Sequence, residues 1–181
     1  MLALPAAPAS AAAGCTIVFG QGRNRAAAGD PANRFWDDVN IDFNAEVAGR
    51  LKAGGVDVIA LALRVAATDL RANVRRLLER ADAEGCTTLV ETTIFADAAA
   101  GQLVARLRSY PILVDPGRAA AAPILRIGAP SFVDERSFEW TRTTLDRVKP
   151  AVLARSLAGE LLARRAAAAA SAAASALSAK P

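Results

Sequence analysis

The chain has no histidine, and its 181 residues include only two cysteines, one methionine and one tyrosine. Without histidine, neither a Ser-His-Asp nor a Cys-His relay can be built. The commonest metal ligand is also missing, and two cysteines alone do not complete a zinc site, so no metal and no cofactor is expected. Aromatic residues make up 5% of the chain. The core must therefore come from Leu, Ile, Val and the few Phe and Trp, with alanine inflating the apolar total. No run of about 18 apolar residues escapes dilution by small residues, so no transmembrane helix is expected. Lys+Arg 22 against Asp+Glu 18 gives a net charge of +4. The positive charge is nearly all arginine and clusters on no one face, so nucleic acid is not expected as a partner.

What is present centres on Gly85–Val114, which reads as strand, turn, strand. Over Thr87–Ala96, residues Thr88, Val90, Thr92, Ile94 and Ala96 fall on one face, and Leu89, Glu91, Thr93 and Phe95 on the other. Asp97–Gly101 has hairpin-turn composition, with glycine where a positive φ is needed. From Gln102 to Val114, Leu103, Ala105 and Leu107 alternate with Val104, Arg106 and Arg108. Period-two alternation of this kind is a strand signature. One face of the hairpin is apolar and the other charged, so one side covers a core and the other meets solvent or a partner.

The remaining elements follow in order. Thr16–Gly20 is a short buried strand, and Gln21–Arg25 is a loop in which Arg23 and Arg25 could cradle an anion. Asp30-Pro31 opens a helix whose stripe is Trp36, Val39, Phe43, Val47 and Leu51, ending at Gly54-Gly55. Val56–Val65 is a nearly continuous aliphatic strand. Thr68, an N-cap candidate, precedes a second helix with Leu70, Val74, Leu77, Leu78 and Ala81 inward, ending at Gly85. Ile124–Ile127 is a fifth strand, and Ser131–Trp140 is either extended or the first turn of a helix. A last helix carries Leu145, Val148, Val152, Leu157 and Leu161 to about Arg165, with Pro150 as a kink or as its first residue. Ala166–Pro181 has no stripe to dock and reads as a disordered Ala/Ser-rich tail.

The expected organisation is thus one α/β domain over 15–165, a mixed-sheet sandwich of order β-α-β-α-β-β-β-α with an antiparallel C-terminal meander. Residues 1–14 are signal-like or a disordered Ala/Pro segment. They run through Ala12-Ala13-Gly14 into Cys15, which resembles a bacterial lipobox and makes Cys15 a candidate for lipidation. A third possibility is that Cys15 and Cys86, each at the entry of a strand, pair as a disulfide in an exported protein.

The order of elements, with the segments Thr16–Gly20, Val47–Gly55 and Gly85–Val90, is similar to a periplasmic fold group. That group comprises the curli-secretion channel lipoprotein, the N-terminal domain of the Tol-system propeller protein and the Pel exopolysaccharide lipoprotein. The resemblance implies a non-enzymatic lipoprotein of the cell envelope, periplasmic and held to the membrane through lipidated Cys15. It would be a scaffold or accessory subunit of an export or surface-assembly system, with an envelope protein or further copies of itself as partner. The alternative is a soluble, cytoplasmic anion- or nucleic-acid-binding module. On either reading the residues expected to meet a partner are Arg106 and Arg108, which share one strand face, and Arg23 and Arg25. Glu91 and Asp97 read as a sheet-surface charge and a turn former rather than a catalytic pair, and no base is identifiable near Cys86.

Overall fold

The computed structural model describes residues 14–21, 30–63, 69–115 and 124–178. Among these the elements run β1 (Thr16–Gln21), α1 (Pro31–Ala53), β2 (Val58–Leu63), α2 (Leu70–Glu84), β3 (Thr88–Asp97), β4 (Gln102–Asp115), β5 (Ile124–Ile127), β6 (Phe132–Glu139), α3 (Thr144–Arg147) and α4 (Pro150–Ser178). They form a single mixed sheet of order β2-β1-β3-β4-β5, with β6 also paired to β4. The strands joined through helices, β2, β1 and β3, are parallel, and β3, β4, β5 and β6 pair antiparallel. The expected α/β class and meander are as observed.

Helices cover both faces of the sheet. On one side α1 and α4 bury Phe43, Val47, Leu51 and Leu157 against Val18, Val90, Ile94, Leu103, Ala105 and Leu107. On the other, α2 presses Leu77 and Ala81 onto Ile17, Phe19 and Leu89. Each fully buried Leu, Ile or Phe contributes about 1.5–3 kcal/mol by leaving water, so the α1–α4 layer carries most of the hydrophobic stabilisation. Where α1 crosses β1 the contact is close: a Cβ on Gly20 would lie 2.9 Å from Asn44 Cβ.

The buried face of α1 is not wholly apolar. Asn33, Asn40 and Asn44 are buried along with Trp36, Phe43, Val47 and Leu51. Strand β1 stops pairing at Gly20, opposite Thr92, while β3 continues to Asp97. Beyond that point no described strand residue pairs with β3 on its β1 side, and Asn40 makes to Ile94 the bonds that a strand residue would make. Its Oδ1 accepts from Ile94 N at 2.9 Å, and its Nδ2 donates to Ile94 O at 2.8 Å. Asn44 donates to Thr92 Oγ1, which in turn donates to Phe19 O.

Two open readings are decided and two expectations are corrected. Ser131–Trp140 supplies a sixth strand, β6, because β4 is long enough for two partners. β6 pairs with Gln102–Ser109 and β5 with Ile112–Asp115. The changeover falls at Pro111, which has no N–H to give a ladder. The last helix is divided: α3 is a single short turn, and α4 begins at Pro150 itself. The N-cap of α2 is Asp69, whose side chain accepts from Ala72 N at 3.0 Å; Thr68 lies outside the described residues. Finally, the expected disordered tail is helical through Ser178. Packing ends near Arg165 as read, but the helix does not, and residues 166–178 are exposed.

The turn between β3 and β4 follows its sequence. Asp97 Oδ1 accepts from the amides of Ala99 and Ala100, and Gly101 has φ +63°.

Replacing Asn40 with Ala leaves the amide and carbonyl of Ile94 buried without partners. The expected loss is about 2–4 kcal/mol, read as a lower midpoint in urea denaturation at unchanged slope. Removing residues 168–178 should change that midpoint by less than about 0.5 kcal/mol in stability.

Candidate functional site

Two features on the α2 side of the sheet join residues that sequence reading singled out. The first is the pair of cysteines. Cys15 lies just before β1, Cys86 just before β3, and the two strands are neighbours. Their sulfurs form a disulfide. Both residues are buried in the cluster with Ile17, Leu77 and Leu89. The lipidation reading of Cys15 is corrected by this bond. A sulfur joined to another sulfur cannot also carry a thioether, and a residue buried in a protein core cannot lie in a bilayer. The third possibility, pairing, is what the structure shows.

The second feature is the charged face of the β3–β4 hairpin. Arg106 and Arg108 stand on the same face of β4, opposite Thr93 and Glu91 of β3 and Glu135 and Val133 of β6. The expectation that both present an exposed partner surface is corrected for Arg106, which is only 6% exposed. The physical reason is β6: with a strand on each side, β4 is interior to the sheet. Arg106 Nη1 reaches Glu135 Oε2 at 3.3 Å, while its Nε and Nη2 are buried with no hydrogen-bond partner among the described residues. Arg108 is half-buried, and its Nε is likewise buried and unpartnered. Arg23 and Arg25 lie outside the described residues.

Arg108 belongs to a short polar relay. Tyr110 donates its hydroxyl to Glu91 Oε2 at 2.8 Å. The Arg108 guanidinium is held protonated above its ordinary range, first by hydrogen bonding with the Tyr110 hydroxyl, against a smaller opposing effect of burial. Burial raises the Tyr110 phenol above its usual value, and its bond to Glu91 adds to the shift. The relay borders a cavity of about 260 Å³ between α2 and the sheet, whose apolar wall includes Phe19, Val74, Leu77, Leu89 and Ile127. Glu91 is thus a hydrogen-bonded member of this wall and more than a sheet-surface charge.

No protein-family model matches the chain, and no curated protein matches it. Among solved structures it is similar to a PelC dodecamer from Paraburkholderia phytofirmans. The identity is 17%, over 87% of this chain and 92% of that one, with a TM-score of 0.39. That protein is the Pel member of the fold group named above, and the likeness is a loose one of shape. Among the described residues there is no cluster of potential metal ligands, and no helix is long and apolar enough to cross a membrane.

Sequence reading found Arg106 and Arg108 but not the cavity beside them. Tyr110 and Glu91 stand on the same face of adjacent strands once the hairpin register is known. The turn at Asp97–Gly101 sets that register, so the pairing was recoverable from the hairpin. The placement of α2 above it was not.

Tyr110 is the sole tyrosine in the chain, so phenolate absorbance reports it alone. The expected midpoint in the folded protein lies above the ordinary value of 10.0 and falls back in denaturant. A raised folded value means the native state holds the proton longer. The stability linked to Tyr110 is therefore full below the unfolded value and declines as pH rises through the folded one. Glu91→Gln should lower the folded midpoint.

Proposed function

We propose that this protein works outside the cytoplasm, in the bacterial cell envelope, as a non-enzymatic accessory or scaffold protein of an export or surface-assembly system. The observation that supports the compartment is the Cys15–Cys86 disulfide. Structural disulfides form and persist in oxidising compartments and are rare where thiols are kept reduced. This one closes a loop with a sequence separation of 71, spanning β1, α1, β2 and α2, and it ties two adjacent parallel strands at their entry ends.

A non-enzymatic role is supported by two facts. The chain has no histidine, and three carboxylates on the β3–β4–β6 part of the sheet are already engaged. Glu91 holds Tyr110, Glu135 holds Arg106 and Asp97 holds the turn amides. The partner on this reading is an envelope protein or further copies of the chain, without an anchor on Cys15. The alternative, a soluble module that binds anionic groups, is favoured by the unpartnered guanidinium nitrogens of Arg106 and Arg108.

The mature protein isolated from its host should be recovered outside the cytoplasm. Its intact mass should be lighter by two hydrogens than after reduction, with no thiol open to alkylation until it is reduced. A cytoplasmic chain with two free thiols would overturn the proposal. Cys86→Ser should cost about 2–5 kcal/mol of stability, measured by denaturant unfolding of the oxidised wild type against the variant.

A further inference from the structure

We propose that this protein assembles head to tail with copies of itself, the basic outer face of α2 on one copy docking against the acidic outer face of α1 on the next. The role proposed above leaves the partner open between two choices; the inference names one of them and to that extent rests on that reading.

The first face is on α2. The side of this helix turned to the sheet is Asn73, Leu77 and Ala81. Beside it runs a second apolar stripe, Leu70, Val74 and Leu78, which the sheet covers only in part. Leu70 is 65% exposed, and the stripe borders a surface groove with Arg71, Arg75 and Glu79. Residues 70–78 carry three arginines and no carboxylate. Arg71 and Arg75 stand one turn apart, exposed, with no ion-pair partner among the described residues.

The second face is on α1, across the sheet from α2. Residues 31–46 carry four carboxylates against one arginine, Arg34. Glu46 is held by Arg155. Asp38 and Asp42 are exposed, also one turn apart, and likewise have no ion-pair partner among the described residues. Phe35 and Ile41 flank them, 48% and 42% exposed.

Neither charged pair serves its own helix. Like charges at i and i+4 repel, and arginines in the first turns of α2 oppose a dipole whose positive end favours acids there. A partner of opposite charge relieves both. The two pairs share one spacing, about 6 Å along the axis at 1.5 Å per residue. Two helices packed side by side can therefore set both arginines against both aspartates, with Leu70, Val74 and Leu78 meeting Phe35 and Ile41. A second copy is the occupant because the chain itself presents the matching surface. The faces lie on opposite sides of the sheet, so no copy can satisfy its own pairs. The contact is heterologous and continues into a ring or a filament.

The test is sedimentation equilibrium of the full oxidised chain, from about 10 μM to about 1 mM at low salt. The average mass should rise with concentration past that of a dimer, and fall back toward the monomer at about 0.5 M salt, where exposed charges are screened. Asp38→Arg with Asp42→Arg in one variant, and Arg71→Glu with Arg75→Glu in another, should each weaken association at least about tenfold. Mixed in equal amounts the two variants should associate again, because each then offers the other both matching pairs; that rescue also shows that both are folded. The proposal is overturned if the wild type stays monomeric throughout, as it would if an acidic protein or an anionic surface covered α2 instead. It is equally overturned if either variant associates like the wild type, which would place the contact elsewhere, or if the mixture does not recover. Failure here leaves the envelope reading standing, since that is decided by localisation and thiol state.

Discussion

The fold depends on how a long strand is satisfied beside a short one. β3 lies in the interior of the sheet and extends past the end of β1, and any uncovered backbone amide there would be buried without a partner. The chain solves this with a side chain. The carboxamide of Asn40 presents one acceptor and one donor to Ile94, the same pair of groups that a strand residue would present. That bond fixes the height of α1 along the sheet. With α1 at that height, Asn44 reaches Thr92 and the helix passes directly over Gly20, where no larger residue fits. Phe43 and Val47 then fall over the middle of the core, and α4 packs against what α1 leaves open.

The hairpin shows how far local pattern reaches. Its two faces, its turn and its glycine were legible because strand alternation and turn chemistry are both local rules. The amphipathic stripe of α1 was legible for the same reason, although Asn40 and Asn44 on that stripe look like errors in an apolar pattern until β3 is in place. β6 was not legible. Its residues alternate between half-buried and exposed, but both sets mix apolar with charged side chains: Phe132, Asp134, Arg136 and Phe138 against Val133, Glu135, Ser137 and Glu139. An edge strand with charge on both faces gives no clear period. The burial of Arg106 follows from that strand, so the error about its exposure is the same error seen from β4. Cys15 and Cys86 were a matter of choosing among open readings, since the distance between them depends on β1 and β3 being neighbours.

Charge is handled differently on the two sides of the sheet. On the α4 side, Arg136 of β6 pairs with both Asp134 and Glu160, bridging strand to helix where solvent still reaches. Burial, helped by the nearby Glu160, raises the Asp134 carboxyl above its ordinary range. On the α2 side the guanidinium groups of Arg106 and Arg108 are drawn into the protein, with fewer acceptors than donors. The first arrangement resembles an ordinary partly solvated ion-pair network. The second leaves Arg106 Nε, Arg106 Nη2 and Arg108 Nε buried without an acceptor among the described residues.

The long α4 has a consequence for how this protein is observed. Starting a helix is its costly step, and adding residues to an existing one is nearly neutral for alanine. The docked part of α4, with Leu153, Leu157 and Leu161 in the core, supplies the nucleus, so residues 166–178 need only propagate from it. They extend about 20 Å beyond the packed body at 1.5 Å per residue. With no tertiary contact to lose, that extension melts gradually from its free end as temperature rises. Far-ultraviolet dichroism will therefore decline before the domain unfolds, and its slope will read as weak cooperativity. Trp36 and Trp140, whose rings lie 5.7 Å apart against the core, report the cooperative transition itself.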